Sequence, residues 1–272
     1  MSDYFYVLFF SLVGGLISLL GGYLLLQSKM AMGKIIQFTM PFAAGALLGA
    51  AFFELLPEAI EQTAEGAASR WVLLGIVLFF LLEHFLHWFH HHSNHEDDHA
   101  STAAPLIIIG DSVHNLIDGI AIGAAFLVSM PTGMVTALAV AAHEIPQEIG
   151  DFGLLLRAGY SKSRVLKINA LSALGTTLGA LVTFWLGARI NLPVGELLAI
   201  TAGLFVYIAA SDLIPAIHHD SKKRFGRSAA LILLFGILIV GVATEVAHEY
   251  IGNNNQLEER ESTTVESEQP GH

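Results

Sequence analysis

Eight long apolar runs organise this chain, at about 4–26, 35–57, 71–90, 104–129, 132–158, 165–189, 194–218 and 228–250. About 20 apolar residues suffice to carry a helix across a hydrocarbon core of roughly 30 Å. The runs are continuous rather than alternating, and far longer than the roughly 10 residues of a tilted membrane strand, which argues against a β-barrel. The pattern predicts an all-α integral membrane protein with eight transmembrane helices over residues 1–250. A polar acidic tail, 251–272, lacks apolar periodicity and reads as disordered. Met1-Ser2-Asp3-Tyr4 enters the first run almost at once, without a basic stretch or a small-residue cleavage site, and reads as part of a retained helix.

Part of the chain repeats. Ala44-Gly45 through Phe53-Glu54-Leu55-Leu56-Pro57 lines up without gaps with Ala202-Gly203 through Ser211-Asp212-Leu213-Ile214-Pro215. Under alternating topology the second run and the seventh cross the membrane in opposite directions. Inverted repeats of this kind build transporters whose substrate site lies near the midplane. The repeat predicts a 3+2+3 arrangement, with two central helices between two sets of three. Glu54 and Asp212 fall at matching positions and either line an entrance and an exit or cap helix ends.

Composition leaves no room for a soluble domain: 54% of the 272 residues are hydrophobic and 14% charged. The absence of cysteine excludes disulfides and thiolate ligands, so any metal must be held by imidazole, carboxylate, amide or backbone oxygen. Of the 13 lysines and arginines, only Arg70, Arg189 and Arg260 lie outside if both termini are outside. Basic loops stay cytoplasmic, which fixes that orientation. The net charge of −11 comes substantially from glutamates near the carboxyl end. The sequence points to no nucleic-acid partner. The expected partners are the lipid bilayer and divalent cations, with room for a homodimer, and the expected setting is the plasma (inner) membrane.

The fourth and fifth runs hold the chemistry. They carry Asp111, Asp118, Glu144, Glu148 and Asp151 together with His114 and His143. One charge at the centre of a bilayer costs about 2.5–3.5 kcal/mol on insertion scales, and packing explains none of the five carboxylates. Asp111, His114, Asn115 and Asp118 share one arc of a helix of 3.6 residues per turn, as do His143, Glu144, Gln147, Glu148 and Asp151. Counting about 1.5 Å per residue from the ends of the runs puts both histidines near mid-depth. Pro146 deprives the Ala142 carbonyl of its helical partner, which frees an oxygen beside the ligand-type side chains. Gly119, Gly123, Gly150 and Gly153 read as close-packing positions. Metal ligands must be deprotonated, so uptake of a cation here is expected to weaken at low pH.

At these residues the chain resembles the ZIP family of divalent-metal transporters, especially its LIV-1-like branch. The run Gly110-Asp111-Ser112-Val113-His114-Asn115-Leu116-Ile117-Asp118-Gly119 looks like that family's fourth-helix motif. His143-Glu144-Ile145-Pro146-Gln147-Glu148 looks like its fifth-helix His-Glu-x-Pro-His-Glu signature. The resemblance implies a binuclear metal centre with His114, His143 and Gln147 at the first position. Asn115, Asp118 and Glu148 fall at or near the second, and Glu144 can touch both. It also implies movement of Zn²⁺, or of Fe²⁺, Mn²⁺ or Cd²⁺, into the cytoplasm as cargo, with no prosthetic group and no enzymatic activity. Gln147 departs from the pattern, where the motif has a second histidine. An amide oxygen is a weaker zinc ligand than imidazole and better suited to harder cations.

Other readings compete. His143-Glu144-Ile145-Pro146-Gln147 is similar to the His-Glu-x-x-His helix of an intramembrane zinc metalloprotease, which needs a second histidine where Gln147 stands. His87-Trp88-Phe89-His90-His91 is similar to one box of membrane di-iron desaturases, without the matching boxes. A metal-sensing scaffold without flux is the third alternative. The loop at 90–102, with His90, His91, His92, His95 and His99, reads as weak metal capture at the exit.

Overall fold

The computed structural model describes residues 2–27, 29–91, 99–220 and 228–267. His92 and His95 lie outside them, and the side chains of His90, His91 and His99 are not described either, so the histidine loop carries no structural statement. The described residues are helical almost throughout: α1 (Ser2–Gln27), α2 (Lys29–Ala50), a π-helical turn (Ala51–Leu55), α3 (Leu56–Gln62), α4 (Ala67–His91), α5 (His99–Val128), α6 (Met130–Arg157), α7 (Lys162–Gly187), α8 (Val194–Tyr207), a second π turn (Ile208–Leu213), α9 (Ile214–Asp220) and α10 (Ser228–Ser267). The π turns join α2 to α3 and α8 to α9, so the segments form eight rods that match the eight apolar runs.

Six rods are long and apolar enough to cross a membrane by length and composition. Among its described residues α1 has the shorter apolar stretch Asp3–Ile17, and α6 carries the buried charges of the fifth run. The lipid-facing side is read from exposure: Leu171 is 72% exposed and Leu231 69%, whereas Val7, Leu47, Ile122 and Phe205 are completely covered. α10 runs on as helix to Ser267, well past the domain boundary at residue 250 that composition suggests.

The π turns share a setting. Each lies just before a proline, which lacks the backbone N–H and clashes with the carbonyl four residues back. Pro57 and Pro215 each follow their π turn by two residues. The Leu56 N–H reaches back to the Ala51 carbonyl, and in the same register the Ile214 N–H reaches back to that of Ala209. The aligned segments therefore share an irregularity as well as residues.

Packing repeats in the same register. A Cβ on Gly45 would collide with the Leu233 carbonyl oxygen, and one on Gly203 with that of Val72. Reciprocally, Gly236 lies against the Phe42 carbonyl and Gly75 against that of Ile200. The α2–α10 seam is thus matched position by position in the α8–α4 seam. Extensive packing also pairs α5 with α7 and α1 with α6. The rods accordingly fall into two groups, one of α1, α5, α6 and α7, the other of α2, α4, α8 and α10.

α5 and α6 form a hairpin about the single residue Ser129, whose extended backbone and side chain cap α6 by accepting from the Thr132 N–H at 3.2 Å. His114 precedes Ser129 by 15 residues and His143 follows it by 14. At about 1.5 Å per residue, both lie about 21–22 Å from the turn. This tight hairpin puts the two histidines at one depth. At the other end of α6, Gly159 (φ 86°) reverses the chain, with the Tyr160 N–H closing on the Leu155 carbonyl at 3.1 Å, in the left-handed cap that glycine favours.

Candidate metal centre

The two rings meet. His114 Nε2 and His143 Nε2 are 3.2 Å apart. His143 Nδ1 lies 3.1 Å from the Ala139 carbonyl; a carbonyl only accepts, so Nδ1 donates and Nε2 is the ring nitrogen turned into the cluster. Ring edges fix the orientation: Phe79 packs against His114 with centroids 5.6 Å apart, and Phe205 against His143 at 5.9 Å.

Two carboxylates complete the group. Asp118 Oδ2 is 3.1 Å from His143 Nε2 and 3.7 Å from His114 Nε2. Glu144 Oε1 is 3.6 Å from His114 Nε2 and 3.9 Å from His143 Nε2. One ligand atom from each of the four residues lies within 4.8 Å of the others. All four residues are buried, and no oxygen of Asp118 or Glu144 has a hydrogen-bond partner. Removing one partner of a buried ion pair costs about 3–5 kcal/mol because the other charge is left uncompensated. Two carboxylates without hydrogen-bond partners face two imidazole nitrogens, an arrangement that a cation between them would satisfy. A tetrahedral zinc with ligands at about 2.0–2.1 Å spaces its ligand atoms about 3.3–3.4 Å apart. The contacts here, from 3.1 to 3.9 Å, bracket that value.

The cluster opens to one side. A cavity of about 450 Å³ reaches it between the two helix groups. His114, His143 and Gln147 line it, as do Glu83 of α4, Asp151 of α6 and Asp212 of the second π turn. On the other side Ile122, Ala125, Phe126, Val140 and Leu198 form a dry, buried plug. Among the described residues, the cavity lined by His114 and His143 gives an ion a route to the centre from the side of Glu83, Asp151 and Asp212.

Comparison with known proteins identifies the fold's family. The sequence pattern of the ZIP Zinc transporter family matches residues 4–106 and 100–244, nearly all of the membrane domain. The chain belongs to the ZIP family. It is 31% identical over 257 residues to the zinc transporter ZIP13 of Pongo abelii, covering 85% of this chain and 76% of that protein. It is 37% identical over 149 residues to human zinc transporter ZIP6, and 42% identical over 136 residues to human ZIP4. These cover 52% and 50% of this chain but 20% of either relative, so the chain spans about a fifth of their length. The relatives include members of the LIV-1 subfamily.

Within this ZIP framework the expected site residues separate. His114, Asp118, His143 and Glu144 converge. Gln147 lines the cavity together with His143. Glu148 is fully buried with both oxygens unpartnered, outside the converging four. Asn115 turns away toward α7, its Oδ1 accepting from Thr176 Oγ1 at 2.8 Å. Gly119 and Gly123 do admit α7, lying against the carbonyls of Thr176 and Ala180; Gly150 and Gly153 have nothing within 4 Å of an added Cβ and are not packing positions. Glu54 is buried and paired with His248 at 3.0 Å, while Asp212 lines the cavity. The metalloprotease alternative finds no support, since the second histidine it requires is absent and the family is one of transporters. Sequence reasoning gave no role to Ser172 and Thr176; their one-turn spacing on α7 was the only signal.

Proposed function

We propose that this protein carries Zn²⁺ or a closely related divalent cation through the membrane into the cytoplasm, with His114, Asp118, His143 and Glu144 as the midplane ligands. The carrying observation is the buried four-ligand cluster, whose spacing and donor set suit one such ion. Gln147 is the first group an ion meets on leaving, and Glu148 and Asp151 extend the polar route. The cavity mouth lies at the end of the bundle where Lys162, Arg164 and Lys167 begin α7, the basic end that stays cytoplasmic. The conformation is therefore inward-facing, with both termini outside and the dry plug toward the exterior. The setting we favour is the plasma (inner) membrane; a homodimer is compatible with it.

The matched seams and π turns support a 3+2+3 inverted repeat, and the path between the two groups supports alternating access, α1, α5, α6 and α7 moving against α2, α4, α8 and α10. Uptake into sealed vesicles, compared across zinc, iron, manganese and cadmium, tests the proposal. Concentrative or saturable flux of at least one ion is expected. Binding without flux of any of them would favour a sensing scaffold instead.

Gln147→His tests selectivity. Imidazole at the mouth of the centre favours metals that prefer nitrogen, so the zinc-to-manganese uptake ratio should rise roughly fivefold, equivalent to about 1 kcal/mol. Maximal zinc flux should fall as release slows. Unchanged ratios and half-saturation in parallel assays would show that Gln147 does not touch the ion.

A further inference from the structure

We propose that Ser172 and Thr176 of α7 hold Asn115 out of the metal centre, so that the centre takes one divalent cation where the family resemblance implies two. The inference rests on the four-ligand reading above and deepens it.

Asn115 is completely buried. Its Nδ2 lies 3.1 Å from the Asp111 carbonyl, 3.0 Å from Asp111 Oδ1 and 3.4 Å from Ser172 Oγ. Its Oδ1 accepts from Thr176 Oγ1. Both amide hydrogens and the amide oxygen are thus engaged, and only that oxygen could ligate a metal. Turning it toward the centre would break the Thr176 bond and leave a buried hydroxyl without its acceptor, a penalty of about 1–3 kcal/mol. The hold is rigid. Gly119, one turn from Asn115, lies against the Thr176 carbonyl so closely that a Cβ would collide with it, which fixes the height and distance of α7. Ser172 Oγ also reaches Ser112 Oγ at 3.4 Å, a second tie to α5.

At the four-ligand cluster Asp118 and Glu144 supply two negative charges, which one divalent cation neutralises. α7 has no aspartate or glutamate from Lys162 to Gly187 and offers hydroxyls toward Asn115. Charge for a second ion, which a freed amide would help to hold, is left to Asp111 and Glu148, whose Oδ2, Oε1 and Oε2 have no hydrogen-bond partner.

The test counts zinc on the full chain in lipid nanodiscs by equilibrium dialysis and elemental analysis. All proteins carry His90, His91, His92, His95 and His99 as serine, to silence the loop. The difference between this parent and its His114→Ala, His143→Ala derivative is expected to be one zinc per chain. Asn115→Ala should keep that one ion. Thr176→Val with Ser172→Ala, which frees the amide, should admit a second at high zinc. A parent difference of two ions, or loss of an ion in Asn115→Ala, overturns the single-ion centre. A count of one in the α7 double variant overturns the role given to its hydroxyls. Equal zinc in the parent and the double-histidine variant would instead mean that the centre itself is misplaced.

Discussion

The His114→Ala, His143→Ala double variant is expected to lose zinc uptake by at least about 100-fold while inserting and folding normally. Even groups that only orient metal ligands cost about 10–100-fold in affinity or activity when removed, and here two of the four proposed ligands go. The rings are enclosed, His143 fully, between Phe205 and Phe79, so alanine also opens a cavity. His143→Gln keeps much of the volume and separates the two effects. Uptake normalised to membrane abundance is the first measurement. Thermal stability with and without zinc is the second, because an ion that binds only the folded state stabilises it by RT ln(1 + [L]/Kd). Wild type should gain stability with zinc, and the double variant should gain none. Wild-type flux in a well-folded double variant would falsify the ligand assignment.

The parts of this architecture that the sequence discloses are those the bilayer enforces. A helix must be long and apolar to cross, so eight spans are visible without coordinates. A buried carboxylate in such a span is costly, so Asp118 and Glu144 stand out at once. The shared depth of His114 and His143 follows from counting along two helices, which is local geometry. Asn115 could not be placed that way. Its arc on α5 is shared with His114 and Asp118, and its hydrogen bond from Thr176 depends on α7 approaching over Gly119, a contact between segments some sixty residues apart. Gly150 and Gly153 were misread for the same reason, since glycine marks either close packing or open space and the neighbouring helix decides which. The repeat was legible in Leu-Pro and Ile-Pro, but the π turns before them were not. The continuation of α10 past residue 250 owes nothing to apolar pattern; Gln256, Leu257, Glu258, Glu259 and Arg260 are all good helix formers.

Valine at Gly45 and valine at Gly203 should damage the protein equally. Each glycine lies where a Cβ would meet a backbone carbonyl oxygen of the partner helix, Leu233 for the first and Val72 for the second. A flexible side chain could turn aside, but a helix carbonyl cannot, so the helices must separate along the whole seam. Membrane helices associate largely through such close packing. Overpacking typically costs about 1–3 kcal/mol, and a clash with backbone belongs at the upper end of that range. At roughly 2–4 °C per kcal/mol for a chain of this size, each variant should melt about 6–12 °C below wild type in detergent. Gly153→Ala is the control. Nothing lies within 4 Å of its added Cβ, and alanine is the better helix former by up to about 1 kcal/mol, so its melting temperature should hold or rise. Equal losses at Gly45 and Gly203 are what two copies of one seam require. A large loss at one and tolerance at the other would mean that the matched sequences pack by different rules. The group of α2, α4, α8 and α10 would then lack the internal symmetry that an inverted repeat requires.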